Sequence, residues 1–422
     1  VRIATVAASL SEFGMKQKSF VVWMCLGQIG NLLPHVVVPA VMTAHLIPQW
    51  GLSNTEAGML AAAYAAGYMV AVPVLSTLTD RFDARQILFW GSLASAAATV
   101  SFGLFANGYR AALILWGLAG AGFAGAYMPG LRALTDRLSP GDTSRSVTYY
   151  TSSFSLGVGL SFLASQYLAD SLGWRWAFLL TGLGPLLMLA CAWRMQAKPP
   201  PPPSGALLDF RPVIRNRSAM GFVLAYGAHC FELYGIRTWI VAFWTFVVEQ
   251  HAQSQGPEAL IASWATPLIV SVVFTVLAMP ASIAGNELSL RYGRHRAISV
   301  IQFASASIAL LIGLNTDASI IVLLPMILFY AITVPADSGS LTAGMSENAD
   351  ARFRGATLAM HSTFGFGLSA LGGWALGYCL DQFGGSSHKD AWQAAFLLLA
   401  TFILLGPLAL KLSKAPVLKR DA

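Results

Sequence analysis

Twelve runs of about 20 apolar residues, each ended by charged or turn-forming residues, constrain this chain more than any other feature. They fall at approximately 20–42, 55–78, 86–106, 109–130, 147–169, 174–193, 218–246, 264–287, 297–315, 319–343, 356–380 and 391–412. At 1.5 Å per residue, a helix of that length crosses the roughly 30 Å hydrocarbon core of a bilayer. The helix is also the open-ended element that satisfies every backbone group in lipid. Composition points the same way: 56% of residues are hydrophobic and 11% charged, with a mean hydropathy of +0.61. A soluble protein carries roughly 25% charged residues. A water-soluble fold of 422 residues would expose apolar surface it has no means to cover, which excludes a cytosolic enzyme, a nucleic-acid reader and a disordered scaffold. The expectation is an all-α membrane protein of twelve transmembrane helices.

The distribution of basic residues orients these spans. With both termini inside, 22 of the 26 Lys and Arg fall in inner segments. Three (Arg110, Arg175 and Lys389) fall on the outer side, and Arg237 lies deep within a span. Basic residues concentrate in cytoplasmic loops, so this bias also accounts for the net charge of +7 without a nucleic-acid partner. The first long apolar run begins at Phe20, so no cleavable signal peptide is expected. Cys25, Cys191, Cys230 and Cys379 sit in apolar runs without a CxxC partner and read as packing residues, with no metal or cofactor implied. Ser53 and Glu56 form a capping-box pattern at the start of span 2.

The chain divides into an N-terminal segment (1–19), a six-helix bundle (20–193), a linker (194–217), a second six-helix bundle (218–412) and a tail (413–422). The linker contains the run Pro199–Pro203, a stiff polyproline II tether, followed by Arg211, Arg215 and Arg217. The two bundles look like copies. Arg145, Phe154 and Gly157 match Arg354, Phe364 and Gly367 at offsets of 209 to 210, and Asp170 answers Asp381. A six-helix unit repeated once is a transporter architecture, with the binding site at the repeat interface near the midplane.

The loop after span 2 carries Asp80, Arg81 and Arg85, and the loop after span 8 carries Arg291, Gly293 and Arg294. On these residues the chain resembles the major facilitator superfamily over nearly its whole length. Ser76 and Asp83 replace the glycines of that family's loop motif, and Leu290 stands where an acid is usual in the second copy. The resemblance implies two pseudo-symmetric six-helix bundles. It also implies a cytoplasmic gate at Asp80, Arg81, Arg85, Arg291 and Arg294, with Asp80 facing the start of helix 11. Trp116 occupies the position of the family's helix 4 arginine, and span 5 has Gly157 and Gly159 but no proline, which disfavours a drug antiporter.

Ionisable residues at mid-span cost about 2.5–3.5 kcal/mol each on insertion scales, so they need partners or a watery cavity. Span 7 concentrates them: Tyr226, His229, Glu232, Tyr234 and Arg237. His229 and Glu232 are three apart and share a face. Arg237 stands about 140° round from Glu232 on an ideal helix, and a bend at Gly235 would bring the guanidinium toward the carboxylate. Glu232 reads as a proton-binding carboxylate modulated by His229 and Arg237, or alternatively as one member of a structural pair. Asn31 and His35 in span 1 share a face beside Pro34 and Pro39; span 10 offers Tyr330 and Asp337, and span 4 offers Trp116 and Tyr127. The family's central cavity is lined by helices 1, 4, 7 and 10, which implies a substrate cavity at Asn31, His35, Trp116, Tyr127, Tyr226, Tyr234, Tyr330 and Asp337. His361 in span 11 reads as interfacial, and Tyr64 and Tyr68 as packing residues.

The expected protein is a monomeric, non-enzymatic secondary transporter of the inner membrane. It would move a small solute, with a slight preference for an organic anion, by proton-coupled alternating access. Two alternatives stand beside it: an exporter of amphipathic compounds, and a non-transporting assembly factor or sensor on the same fold.

Overall fold

The computed structural model describes residues 18–138, 143–198, 200, 208–350 and 353–413, and among these every regular element is helical. The expectations for 1–17, for 414–422, for most of the proline run and for the side chains of Arg145 and Arg354 lie outside the described residues. Nine helices among the described residues are long and apolar enough to cross a membrane. They are α2 (Asn54–Leu78), α3 (Ala84–Phe105), α4 (Tyr109–Thr135), α6 (Trp174–Arg194), α7 (Arg217–Gln250), α8 (Pro267–Tyr292), α9 (Arg294–Leu314), α10 (Ile320–Asn348) and α12 (Lys389–Ser413). A bent pair, α1 (Lys18–Leu32 and Val37–Trp50), makes a tenth. α5 (Thr143–Leu172) and α11 (Arg354–Gln382), at 30 and 29 residues, have the length to cross and occupy the positions of spans 5 and 11. A short helix, Pro257–Trp264, precedes α8 and has no counterpart among the expected spans, because eight residues are too few to register as a crossing.

Local chemistry sets the boundaries. The capping box at α2 is formed: Ser53 Oγ accepts from the Glu56 N–H (3.1 Å) while Glu56 Oε2 accepts from the Ser53 N–H (3.0 Å). α1 bends by 49° at residues 33–36, where Pro34 removes a donor. Ser161 of α5 repairs the break: its hydroxyl donates to the Leu33 carbonyl (2.6 Å) and accepts from the Val36 N–H (3.2 Å). α10 breaks in the same manner at residues 334–337, around Pro335. There α8 presses so close that a Cβ at Gly285 would collide with the Ala336 carbonyl oxygen, so glycine is required.

Packing between the halves is uneven. α2 and α11 meet along their whole length, from Gly377 against Asn54, through the stacked rings of Tyr68 and Phe366 (3.7 Å), to Gly355 beside Asp80. α5 and α8 touch chiefly through their segments far from the basic loops, where Gln166 Nε2 donates to Ser271 Oγ (3.1 Å) and Gly159 faces Val276. Toward the basic loops they diverge, and a cavity opens between the halves.

Candidate functional site

The cavity, about 440 Å³, is walled by α4, α5, α7, α8, α10 and α11. Tyr226, His229, Tyr234 and Arg237 of α7 run down one side of it, and Tyr127 of α4, Phe154 of α5 and Phe366 of α11 supply aromatic walls. It reaches toward the basic end as far as Val147 and Ser346. At the opposite end the halves are sealed. Both carboxylate oxygens of Asp381, on α11, accept from the first residues of α2: the N–H groups of Asn54 (3.0 Å) and Thr55 (2.7 Å), Asn54 Nδ2 (2.8 Å) and Thr55 Oγ1 (2.6 Å). A carboxylate from one half thus satisfies the orphan donors at a helix N-terminus of the other.

α7 carries the charges because it is the core helix; 78% of its most apolar 18-residue window is buried. His229, Glu232 and Arg237 are all at most 4% exposed. Their partners differ from the sequence expectation. Glu232 does not pair with Arg237: α7 continues unbroken through Gly235, which lies against Leu399 and Gly372 of its own bundle. Glu232 turns instead into that bundle, where its Oε1 accepts from Ser305 Oγ of α9 (2.8 Å) and Tyr330 Oη of α10 (3.0 Å). His229 meets Asp337, Nδ1 to Oδ1 at 2.7 Å, off the in-line direction of a hydrogen bond, so the contact is one of charge and proximity. Asp337 Oδ2 accepts from Gln302 Nε2 of α9 (2.7 Å). Among the described residues no carboxylate lies within ion-pair distance of Arg237. Its guanidinium sits 5.0 Å from the Tyr234 ring centroid on the cavity wall, with Nε unpartnered.

Of the eight residues expected on the cavity wall, Tyr127, Tyr226 and Tyr234 are there. The other five stand behind it. Trp116 is drawn into an aromatic cluster of the N-terminal half with Tyr64 (4.9 Å) and Phe178 (5.6 Å). His35 packs edge-on against Phe154 (5.3 Å) and Tyr234 (6.1 Å), both of which line the cavity, and Asn31 is fully buried with both amide atoms unpartnered. Tyr330 is taken up by Glu232, and Asp337 by His229 and Gln302. His361 is not interfacial: it is buried, stacked on Tyr226 at 3.8 Å, with Nε2 3.3 Å from Thr342 Oγ1. Sequence reasoning missed Gln302 and Ser305; an amide in the middle of an apolar run is the signal that would have found the first.

The basic loops bind mostly within their own halves. Asp80 lies 3.5 Å from Arg132 and faces Gly355 at the start of α11. Arg85 donates to the Met195 carbonyl (2.6 Å), Arg81 is exposed, Arg291 lies over Tyr292, and Arg294 pairs with Glu347 (2.6 Å). Asp83, the N-cap of α3, is the hub of the first loop. Burial pushes its carboxyl up, but the Arg137 guanidinium and the N–H groups of Lys198 and Arg85 outweigh this and hold it below its ordinary value.

Comparison with known proteins agrees with this geometry. The bacterial homologue of the human lysosomal transporter Spinster, in its inward-facing and unoccupied conformation, superposes with a TM-score of 0.73 at 17% identity, covering 95% of this chain and 99% of that one. The mouse sphingosine-1-phosphate transporter SPNS2 is 26% identical over 230 residues, 51% of this chain and 42% of that protein. The D-galactonate transporter of Escherichia coli O6:H1 is 28% identical over 163 residues, 38% of this chain and 37% of its own length. The chain thus spans less than half the length of these two relatives. The family model of the Major Facilitator Superfamily matches residues 24–372. Two packed halves, a cavity between them closed at one end, and a family match across most of the sequence lead to one conclusion: this chain belongs to the Major Facilitator Superfamily.

Proposed function

We propose that the protein moves a small organic anion across an inner membrane by proton-coupled alternating access, with its basic loops and both termini in the cytoplasm. The observation that carries this reading is Arg237, a buried guanidinium on the cavity wall with no carboxylate partner among the described residues. Such a group is suited to receive a carboxylate or phosphate in a bidentate fork. Charge counting supports it. With one proton on Glu232 and one on His229, the set Glu232, Asp337, His229 and Arg237 sums to +1, which a monoanion neutralises. The names of two relatives, a galactonate transporter and a sphingosine-1-phosphate transporter, both denote molecules that bear an anionic group, a carboxylate and a phosphate. The aromatic walls at Tyr127, Phe154 and Phe366 favour a second reading, in which the anion is amphipathic.

Glu232 is the coupling carboxylate in this scheme; it is buried behind the cavity wall, one turn along α7 from His229, which stands on that wall. The basic-end opening together with the Asp381 seal corresponds to the inward-facing state, and the solute leaves or enters between α5 and α8. Proteoliposomes offered an anion panel that includes D-galactonate, with and without a pH gradient, test the proposal. Wild type should accumulate an anion uphill. Glu232→Gln should still exchange it but lose accumulation by about tenfold or more, the size of an ordinary coupling energy. Undiminished uphill uptake in Glu232→Gln removes that residue from coupling.

A further inference from the structure

Asp337 occupies an odd place. It lies at the end of the α10 break and is the N-cap of the segment Ser338–Asn348. Aspartate is among the best N-cap residues, because its oxygens accept from the first N–H groups of the helix. Here the side chain makes no cap bond, and the backbone stands at φ −89°, ψ −14° rather than in the extended region a cap requires. Both oxygens are engaged sideways, with His229 of α7 and Gln302 of α9. Of these partners only His229 reaches the cavity.

We propose that Asp337 is the positioning residue that links the ionic state of the cavity to the bend in α10. In one arrangement its carboxylate holds the lower segment of α10 to His229 and Gln302. In the other it caps its own helix, and the change in ψ swings that segment relative to Ile320–Thr333. An anion that draws the imidazolium of His229 toward the cavity releases Asp337 to the second arrangement. A proton taken up from the cavity by the Asp337 carboxylate, or lost to the cavity by His229, also breaks the pairing, because only an imidazolium and a carboxylate attract each other as opposite charges. The segment that moves carries Ser338, Thr342 and Ser346, three residues of the cavity wall.

The surroundings leave few other groups to take this role. From α7 the ionisable neighbours are His229, Glu232 and Cys230, and from α10 itself Tyr330. His361 of α11 stands beside His229, stacked on Tyr226, and also touches the moving segment at Thr342 Oγ1 (3.3 Å). Beside Asp337 the remaining helices place uncharged groups, Gln302 and Ser305 of α9, Gly285 and Ser282 of α8, and Gly406 of α12 against Gln302; farther down the segment Arg294 of α9 donates to the Ser340 carbonyl (3.1 Å) and pairs with Glu347 (2.6 Å).

The inference rests on the proton-coupled reading above, but its test needs no substrate. Spin labels at Ser152 and Ser346, across the cavity mouth, report the distance between α5 and lower α10 as pH is varied in reconstituted full-length protein. Wild type and Glu232→Gln should both show a pH-dependent step in that distance. Asp337→Asn, which is isosteric, should lose the step, and Asp337→Glu should restore it at a shifted pH. In flux assays Asp337→Asn should cut uphill anion accumulation about tenfold while leaving exchange at equal pH in place. A step of wild-type size in Asp337→Asn, or no step in wild type, overturns the inference. A step abolished by Asp337→Asn in a protein that accumulates no anion would sink the transport reading alone.

Discussion

The two halves share a fold yet divide the chemistry. Inside the bilayer the N-terminal half carries neutral groups, Asn31, Tyr64, Tyr68 and Trp116, around one histidine, His35. The C-terminal half buries His229, Glu232, Arg237, Asp337 and His361. The pseudo-equivalent acids at the sealed end diverge too: Asp170 is 72% exposed and meets His45 of its own half at 3.3 Å, while Asp381 crosses to cap α2. Duplication thus supplies the frame twice but not the function twice. Both halves give aromatic side chains to the cavity wall, and inside the bilayer, among the described residues, the C-terminal half alone adds the buried acids and the buried guanidinium.

Four measurements would sharpen or break that division. Arg237→Leu should weaken anion binding about 100-fold, as removal of a charged hydrogen-bond donor costs roughly 1.5–3 kcal/mol. His35→Leu should cost less than tenfold, and half-saturation concentrations for exchange compare the two. Equal losses would mean that both halves hold the anion. Next, Glu232→Gln should lower pH-driven accumulation about tenfold, whereas Tyr64→Phe on the neutral side should leave it near wild type.

Asp381→Ala should then shift the population toward an outward-open state by about fivefold to thirtyfold, since losing a helix cap costs roughly 1–2 kcal/mol. Labelling of a cysteine introduced at Thr55 reads this, and Asp170→Ala should leave the labelling unchanged. The smallest effect belongs to the first basic loop. Because the Asp83 carboxyl is held below its ordinary value, its contribution is present above the usual carboxylate range and lost as pH falls through the depressed folded value. Asp83→Asn should lower the unfolding temperature in detergent at neutral pH by the equivalent of about 1–3 kcal/mol, and the gap from wild type should close in acid. Asp209→Asn, which removes a surface ion pair with the exposed Arg211, should change little.

Much of the frame was readable without coordinates. Hydropathy located the spans to within a few residues, as with 55–78 against Asn54–Leu78 and 174–193 against Trp174–Arg194. The Ser53–Glu56 box formed because a capping box needs only residues three apart. The first span was read short, as 20–42 against an end at Trp50, because its second segment continues through the π-helical turn Met42–Leu46, where His45 and Pro48 interrupt the apolar run.

Residue types and their spacing were enough to show that this chain spans a membrane in two similar halves and that its costly residues lie on α7 and α10, because hydropathy and burial cost belong to residues and their order. Which of those residues meet became visible only in the packed bundle. Helical periodicity put His229 beside Glu232, yet the two point to different neighbours, since Asp337, Ser305 and Tyr330 come from helices 73 to 108 residues farther along the chain. A pairing across helices depends on how bundles rotate against one another, and one-dimensional spacing carries no record of that rotation.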